Sequence, residues 1–383
     1  MADLTASERI KAHARDLGFD LVGVATAEPF TQDEPRIVEW LRGGMNAGMA
    51  WMTEARAALS CHPDELLPGA ASLIVVGTSY RGQLPRPDDD QPRGHVARYA
   101  RGADYHDVLK ARLDLLAGYV REVGGEGART RVFVDSSPLP ERAAAIRAGL
   151  GFVGKNTNLL TSQAGSWLLL GALLTTLRLD PDGPMLKDCG QCRLCLDACP
   201  TGALPEPFAL DANRCISYLT IEHRGIVPVE LRSAIGSNVF GCDICQDVCP
   251  WNRADRGPGW SEFHGDADAA RPPLEALMAL DDEAFRARYR RTPIWRTKRR
   301  GLLRNAAIAL GNVGDASALP VLTAALADHE PLVRAHAAWA IGQIGDPGGR
   351  DPLLTARSHE TNLDVQVEID QALAALAAED FTT

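Results

Sequence analysis

The stretch Cys189-Gly-Gln-Cys192-Arg-Leu-Cys195-Leu-Asp-Ala-Cys199-Pro200 decides what kind of protein this is. Three cysteines at intervals of two residues, then a fourth three residues on and followed by proline, form the run that bacterial ferredoxins wrap around an iron–sulfur cube. The short spacing puts three thiolates on one cluster, and the fourth cysteine reaches the next. Downstream, Cys242-Asp-Ile-Cys245-Gln-Asp-Val-Cys249-Pro250 repeats the run without its first member, and Cys215 is the remaining cysteine of the region that can replace it. The pseudo-twofold pairing of ferredoxins then gives cluster one as Cys189, Cys192, Cys195 and Cys249, and cluster two as Cys199, Cys215, Cys242 and Cys245. Structural zinc is the other chemistry that crowded cysteines serve. It usually uses paired CxxC knuckles, and the triple-spaced run with two Cys-Pro endings speaks against it. The ninth cysteine, Cys61, stands alone and reads as an ordinary buried thiol.

Working outward from the cysteines, residues 1–178 read as strands interleaved with helices, an α/β arrangement. Thr5-Ala-Ser-Glu8 is a capping-box signature ahead of a first helix. Strands are expected at Leu21 to Thr26, Leu73 to Tyr80, Arg131 to Asp135 and Trp167 to Leu177, with helices over His106 to Val123 and Glu141 to Ala148. A polar loop is expected from Pro85 to Pro92 and a Gly/Pro-rich joint from Arg256 to Trp260. Beyond the joint, Arg304-Asn-Ala-Ala-Ile-Ala-Leu-Gly-Asn-Val-Gly-Asp315 recurs as Arg334-Ala-His-Ala-Ala-Trp-Ala-Ile-Gly-Gln-Ile-Gly-Asp346, with a degraded third copy over Val365 to Leu376. Helical repeats at such a period stack into an α-solenoid. The expected division is therefore 1–178, 179–255, a basic linker 256–300, and helical repeats 301–383. The chain has no long apolar run and no basic, apolar leader at its start, so a cytoplasmic protein without a membrane span is expected.

Clusters deliver electrons singly, and a mere relay needs no 180-residue domain ahead of them. The α/β segment should hold the acceptor chemistry, yet it carries neither a GxGxxG fingerprint nor a P-loop, so another cofactor is required. Four stretches narrow the choice: Arg98-Tyr-Ala-Arg-Gly-Ala-Asp-Tyr-His106, Val134-Asp-Ser-Ser-Pro-Leu-Pro-Glu-Arg142, Ala148-Gly-Leu-Gly-Phe-Val-Gly-Lys-Asn-Thr157, and Gly241 to Asn252. Together with the terminal repeats they resemble the epoxyqueuosine reductases over essentially the whole chain. The resemblance implies an α+β multidomain fold: an α/β cobalamin-binding domain, a ferredoxin-like module with two [4Fe–4S] clusters, and HEAT-like repeats. It implies reduction of epoxyqueuosine to queuosine at the wobble position of tRNA, with electrons passing through the clusters to cobalamin. Asp135 is implied as the proton donor, a role that suits a carboxyl at a strand end if burial raises its proton affinity. Capping of the helix near Glu141 is the competing role for Asp135, opposed by Pro138 and Pro140. Arg56, Arg98, Tyr99, Asp135, Lys155, Asn156 and Ser166 are implied at the corrinoid, and Tyr105, His106 and Arg142 at the substrate. Asp104-Tyr-His106 also resembles the start of a cobalt-ligand motif, but position 109 is Leu, so His106 is not offered as a cobalt ligand.

The formal charge of −10 argues against nucleic acid binding over the whole surface. One stretch departs from it. Arg286, Arg288, Arg290, Arg291, Arg296, Lys298, Arg299, Arg300 and Arg304 occur without an intervening acid, with Tyr289 and Trp295 among them. Such a concentration is the footprint of a phosphate-binding surface for the tRNA anticodon stem-loop, with the aromatics free to stack on a base or to anchor the linker. An external flavodoxin or ferredoxin is the expected electron donor, and a monomer the expected state. A reductive dehalogenase would share corrinoid and clusters but has no use for the basic run or the repeats. A non-catalytic iron–sulfur carrier would bind no corrinoid.

Overall fold

The computed structural model describes residues 4–82, 89–253 and 259–379. The expected Pro85 to Pro92 loop and Arg256 to Trp260 joint fall partly outside them. The chain forms two compact units, each built from separated segments: Met1–Gln83, Ala103–Asn213 and Ile244–His264 in the first, Leu84–Gly102, Arg214–Asp243 and Gly265–Thr383 in the second.

The first unit opens on helix α1 (Ala6–Asp16), started by the expected capping box: the Thr5 hydroxyl accepts from Glu8 N–H and the Glu8 carboxylate accepts from Thr5 N–H. Its sheet comprises β1 (Leu21–Thr26), β2 (Ser72–Ser79), β3 (Thr130–Phe133) and β4 (Leu168–Thr175), in the order β1-β2-β4-β3. All three pairings are antiparallel, in registers such as Val24↔Ile74, Val75↔Ala172 and Val132↔Leu173. Strands interleaved with helices usually pair in parallel; here the long connections between them permit the opposite sense. Asp135 consequently does not sit at the carboxyl edge of a parallel sheet. It lies two residues beyond the end of an edge strand. Period-two alternation sends Leu73, Val75, Phe133, Ala172 and Leu174 to one face, where they pack with Ala144, Ala145 and Ala148 in and just beyond a short helix, Glu141–Arg147. The helix Tyr105–Gly124 packs on β3 and β4 through a stripe of Leu109, Leu113, Leu116 and Val120, all fully buried. These two helices matter because each begins at the candidate site.

In the second unit the helices Lys298–Val313, Pro331–Ile344 and Leu363–Glu379 stack in succession, as the repeat predicts. The repeated glycines explain themselves here. A Cβ on Gly311 would lie 3.0 Å from Ala340 Cα, and one on Gly342 would lie 2.7 Å from Ala372 Cα. Each glycine lets its helix approach the next repeat at the equivalent place, so the sequence period is a packing period. The segment expected as a basic linker is itself helical over Leu274–Met278 and Asp282–Tyr289 and buries Leu274, Leu277, Met278 and Phe285 in the same core as the repeats.

Candidate functional site

Two chain segments meet at an acid–imidazole cluster in the first unit. Asp104 caps the helix Tyr105–Gly124, its carboxylate accepting from His106 N–H at 3.1 Å and lying 2.7 Å from His106 Nδ1. From the other side comes Asp135, just past the end of β3, with a φ of 46° that L-residues other than Asp and Asn seldom adopt. Its Oδ2 accepts from the Tyr105 hydroxyl at 2.7 Å and lies 3.1 Å from His106 Nε2. The Tyr105 and His106 rings stack with centroids 4.1 Å apart. The Asp135 backbone N–H donates to Glu141 Oε1 at 2.8 Å. Asp135 therefore does not cap the helix that begins at Glu141, which has Pro140 at the capping position and no side-chain cap.

Burial opposes a charge on His106, but the hydrogen bonds to Asp104 and Asp135 outweigh it and push the imidazole up to about 9. At neutral pH it is a cation shared between two carboxylates. Burial together with the nearby Asp135 charge pushes Glu141 up to about 8, so this acid is mostly neutral at pH 7. Asp104 moves the other way: burial raises it, the bonds from His106 more than compensate, and its carboxyl is held below the usual range. The Asp135 side chain is 59% exposed, leaving an open carboxylate with a proton held against one oxygen. Such an arrangement can deliver a proton to a substrate atom outside the chain.

The Asp104 and Glu141 roles were missed by sequence reasoning. In the sequence Asp104 is one residue of the Arg98 to His106 stretch, and nothing local marks Glu141. The Asp-Tyr-His order, with a carboxylate one residue before the helix, was the available signal for Asp104. Arg142 is exposed and donates to Thr157 O at 3.2 Å. Arg56 donates to Ser136 O at 2.8 Å, next to Asp135, with its guanidinium over the ring of Trp51.

A second feature lies among the cysteines of the same unit. Cys189, Cys192, Cys195 and Cys249 line one cavity of about 190 Å³, walled also by Leu160, Leu194, Pro250 and Trp251. A lone zinc ion is gripped by bonds of about 2.3 Å and needs no such space; four thiols set around a chamber of this size fit a cluster. Burial pushes the Cys195 and Cys249 thiols up, so loading iron must displace protons. Lys155 holds the rim by donating to Gly190 O at 2.7 Å and Cys192 O at 2.9 Å, and Asn156 donates to Cys245 O at 3.4 Å. If these four cysteines share one cluster, Cys249→Ala should remove about half of the iron. Adding Cys189→Ala should then remove no more. Iron analysis and the visible spectrum read the outcome, and additive losses would separate the two residues.

Cys199 and Cys245 belong to the first unit, Cys215 and Cys242 to the second. Cys61 is fully buried, as expected of an ordinary thiol, and burial pushes it up. Of the residues expected at a corrinoid, Ser166 donates to Gln246 Oε1 and is buried, so with Lys155 and Asn156 it is committed to the cysteine-bearing loops. In the second unit, Arg98 N–H donates to Asp243 Oδ2 at 2.8 Å and Tyr99 packs on Phe240.

The basic stretch requires correction. Arg304 is fully buried and donates to the carbonyls of Leu219, His223 and Gly225 at 2.6, 2.8 and 3.1 Å. Arg299 is buried against Asp328 and Leu280 O, so neither can reach an RNA phosphate. Tyr289 is buried beside Phe285, and Trp295 stacks on Phe285 with Lys298 over its ring; the aromatics anchor rather than await a base. Arg286, Arg288, Arg290, Arg291, Arg296 and Lys298 remain exposed, Arg296 paired with Glu222, and Arg300 is half-buried.

Comparison with known proteins matches residues 61–136, which hold Tyr105, His106 and Asp135, to a family model described as epoxyqueuosine reductase QueG. Residues 188–252 match the 4Fe-4S double cluster binding domain and residues 298–374 HEAT repeats. The epoxyqueuosine reductase of Xanthomonas campestris pv. campestris is 41% identical over 350 residues, covering 89% of this chain and 96% of that protein. The chain belongs to the epoxyqueuosine reductase family. As a member of it, it is an oxidoreductase with an iron–sulfur domain and C-terminal HEAT repeats. A crystal structure of epoxyqueuosine reductase with an epoxyqueuosine-modified tRNA-Tyr stem loop superposes with a TM-score of 0.90 at 36% identity, covering 97% of this chain and 98% of that one. The Bacillus subtilis epoxyqueuosine reductase, solved with its aspartate-bearing catalytic loop swung out of the active site, superposes with a TM-score of 0.89 at 36% identity over 96% of this chain and 98% of that one. Among the described residues no helix is long and apolar enough to cross a membrane.

Proposed function

We propose that this epoxyqueuosine reductase family member acts in the cytoplasm, as a monomer, on epoxyqueuosine in the anticodon loop of tRNA, with Asp135 as the proton donor. The observation that carries the reading is the open Asp135 carboxylate bonded to a protonated His106 and to the Tyr105 hydroxyl. Loss of the epoxide oxygen as water consumes two electrons and two protons and leaves an alkene. The electrons would come from a flavodoxin or ferredoxin through cluster one (Cys189, Cys192, Cys195, Cys249) and cluster two (Cys199, Cys215, Cys242, Cys245). The division into a catalytic domain 1–178, a cluster domain 179–255, a segment 256–300 and repeats 301–383 follows these roles.

Cobalamin is the proposed acceptor of the electrons, and when bound it supplies a low-valent cobalt nucleophile suited to opening an epoxide. Arg56 and Asp135, neighbours through the Ser136 carbonyl, fit a ligand fringed with amides; Arg98 and Tyr99 remain candidates. Lys155, Asn156 and Ser166 fit it less well, since their polar atoms hold the cysteine loops. Tyr105, His106 and Arg142 would face the substrate. The chain's own part is protonic: His106 keeps a proton at Nε2, 3.1 Å from Asp135 Oδ2, and Asp104 fixes the ring by its Nδ1. The proton therefore starts on the imidazolium, passes to the Asp135 carboxylate and is handed on from there to the substrate oxygen. The test is anaerobic loading with iron and sulfide, with and without cobalamin, followed by mass analysis of nucleosides from modified tRNA. Loss of one oxygen mass only when cobalamin is present is expected; conversion without it would remove cobalamin from the reading.

For the RNA, the exposed Arg286, Arg288, Arg290 and Arg291 are the proposed phosphate contacts, with Arg296, Lys298 and Arg300 beside them. Changing Arg286, Arg290 and Arg291 to Glu should weaken tRNA binding and flatten its salt dependence, by a log–log slope of about 0.7–0.9 per lost contact. Stability should change by less than about 0.5 kcal/mol per site, as for exposed positions generally. Unaltered affinity and slope would move the RNA surface elsewhere.

A further inference from the structure

Asp135 sits in the left-handed backbone region, which even aspartate keeps only where surrounding contacts favour it. The segment after it is stiff and anchored: Pro138 and Pro140 fix their φ angles, Leu139 is buried, and Arg56 holds Ser136 O. At Asp135 itself the backbone N–H donates to Glu141 Oε1 at 2.8 Å across six residues. In the Bacillus subtilis relative the aspartate-bearing catalytic loop is swung out of the active site. We propose that Glu141 is a positioning residue that tethers the catalytic loop: by accepting Asp135 N–H it keeps the left-handed turn that aims the carboxylate at Tyr105 and His106.

This rests on Asp135 being the proton donor. The charge state of the tether then matters. Around it stand Asp135 as an anion and His106 and Arg142 as cations; Tyr105 bonds to Asp135 and the Asp104 anion to His106. As a neutral acid Glu141 accepts the N–H without repelling Asp135. Ionised, it would set a second negative charge against the Asp135 carboxylate, favouring the loop's departure. Glu141 loses its proton near pH 8, so the rate should fall as pH rises through that value, below the fall set by His106 near pH 9.

The experiment compares the cluster-loaded full chain with Glu141→Ala and Glu141→Gln. Glu141→Ala should lower kcat about 10-fold or more with little change in KM for modified tRNA. Hydrogen exchange at the Asp135 amide, which needs no cofactor or substrate, should accelerate by a similar factor. Glu141→Gln keeps an acceptor oxygen and should restore both near pH 7, while losing the decline through pH 8 and keeping that near pH 9. Unchanged kcat and exchange in Glu141→Ala, with Asp135→Asn inactive, would overturn the tether and spare the donor. A fully active Asp135→Asn would instead overturn the donor reading. Should Glu141→Ala fail to fold, Glu141→Gln decides by itself: a profile identical to the unsubstituted chain overturns the proposal.

Discussion

Asp135→Asn should leave the chain folded, its clusters loaded and its tRNA bound, while turnover falls about 10²-fold or more, the usual contribution of a positioned acid. The substitution is conservative in each respect but one. Asparagine tolerates the left-handed φ as aspartate does, so the turn should persist. The amide oxygen can still accept from Tyr105 and from His106. What is lost is an ionisable oxygen to receive a proton from the imidazolium and hand it on. The His106 cation also loses one of its two anionic partners, so its pKa should drop from about 9 toward its ordinary value, a shift that ring-proton chemical shifts would follow directly. An unimpaired rate under saturating reductant would take Asp135 out of the chemistry.

Arg304→Ala should strongly destabilise the second unit. Among the described residues its guanidinium has no carboxylate partner; burial and the nearby Arg224 and Arg300 charges pull it down to about 9, and it stays charged at neutral pH by donating to three backbone carbonyls. Removing it strands the carbonyls of Leu219, His223 and Gly225 in an apolar interior, at about 1–3 kcal/mol for each that finds no other donor. Against a total stability of about 5–15 kcal/mol for a domain, that is a large fraction. Melting curves should show a clear loss for Arg304→Ala and almost none for Arg290→Ala, which is exposed. Equal melting of the two would mean that the Arg304 side chain lies at the surface after all, and would return it to the RNA contacts.

These two residues mark what was legible in the sequence. The capping box at Thr5, the apolar strands at Leu21 and Ser72 and the recurring Gly311 and Gly342 announced local structure because their causes are local: a cap, an alternation, a close approach. The cysteine spacing announced the clusters because ligand geometry constrains neighbours in the chain. Burial of a cation is not a local property. Arg304 and Arg290 look alike in a basic run, and whether carbonyls from 79 to 85 residues away close over one of them depends on the tertiary fold. Strand sense escaped for the same reason, as did Glu141, whose role is set by a hydrogen bond to a backbone turned at an unusual φ.

The segmentation of the two units bears on how the protein is made. Residues 84–102, belonging to the second unit, emerge from the ribosome before most of the first unit, and the first is not complete until His264 has been synthesised. Neither unit can therefore finish folding behind the ribosome as a contiguous piece, and both must hold early segments waiting for late ones. Contacts so distant in sequence slow folding and leave apolar strands such as Leu73–Val76 uncovered in the interval. A chain of this arrangement is a natural client of holding chaperones. A premature stop before the last repeat harms more than the repeats, because it also strips buried Arg232 of Glu368, the carboxylate it pairs with.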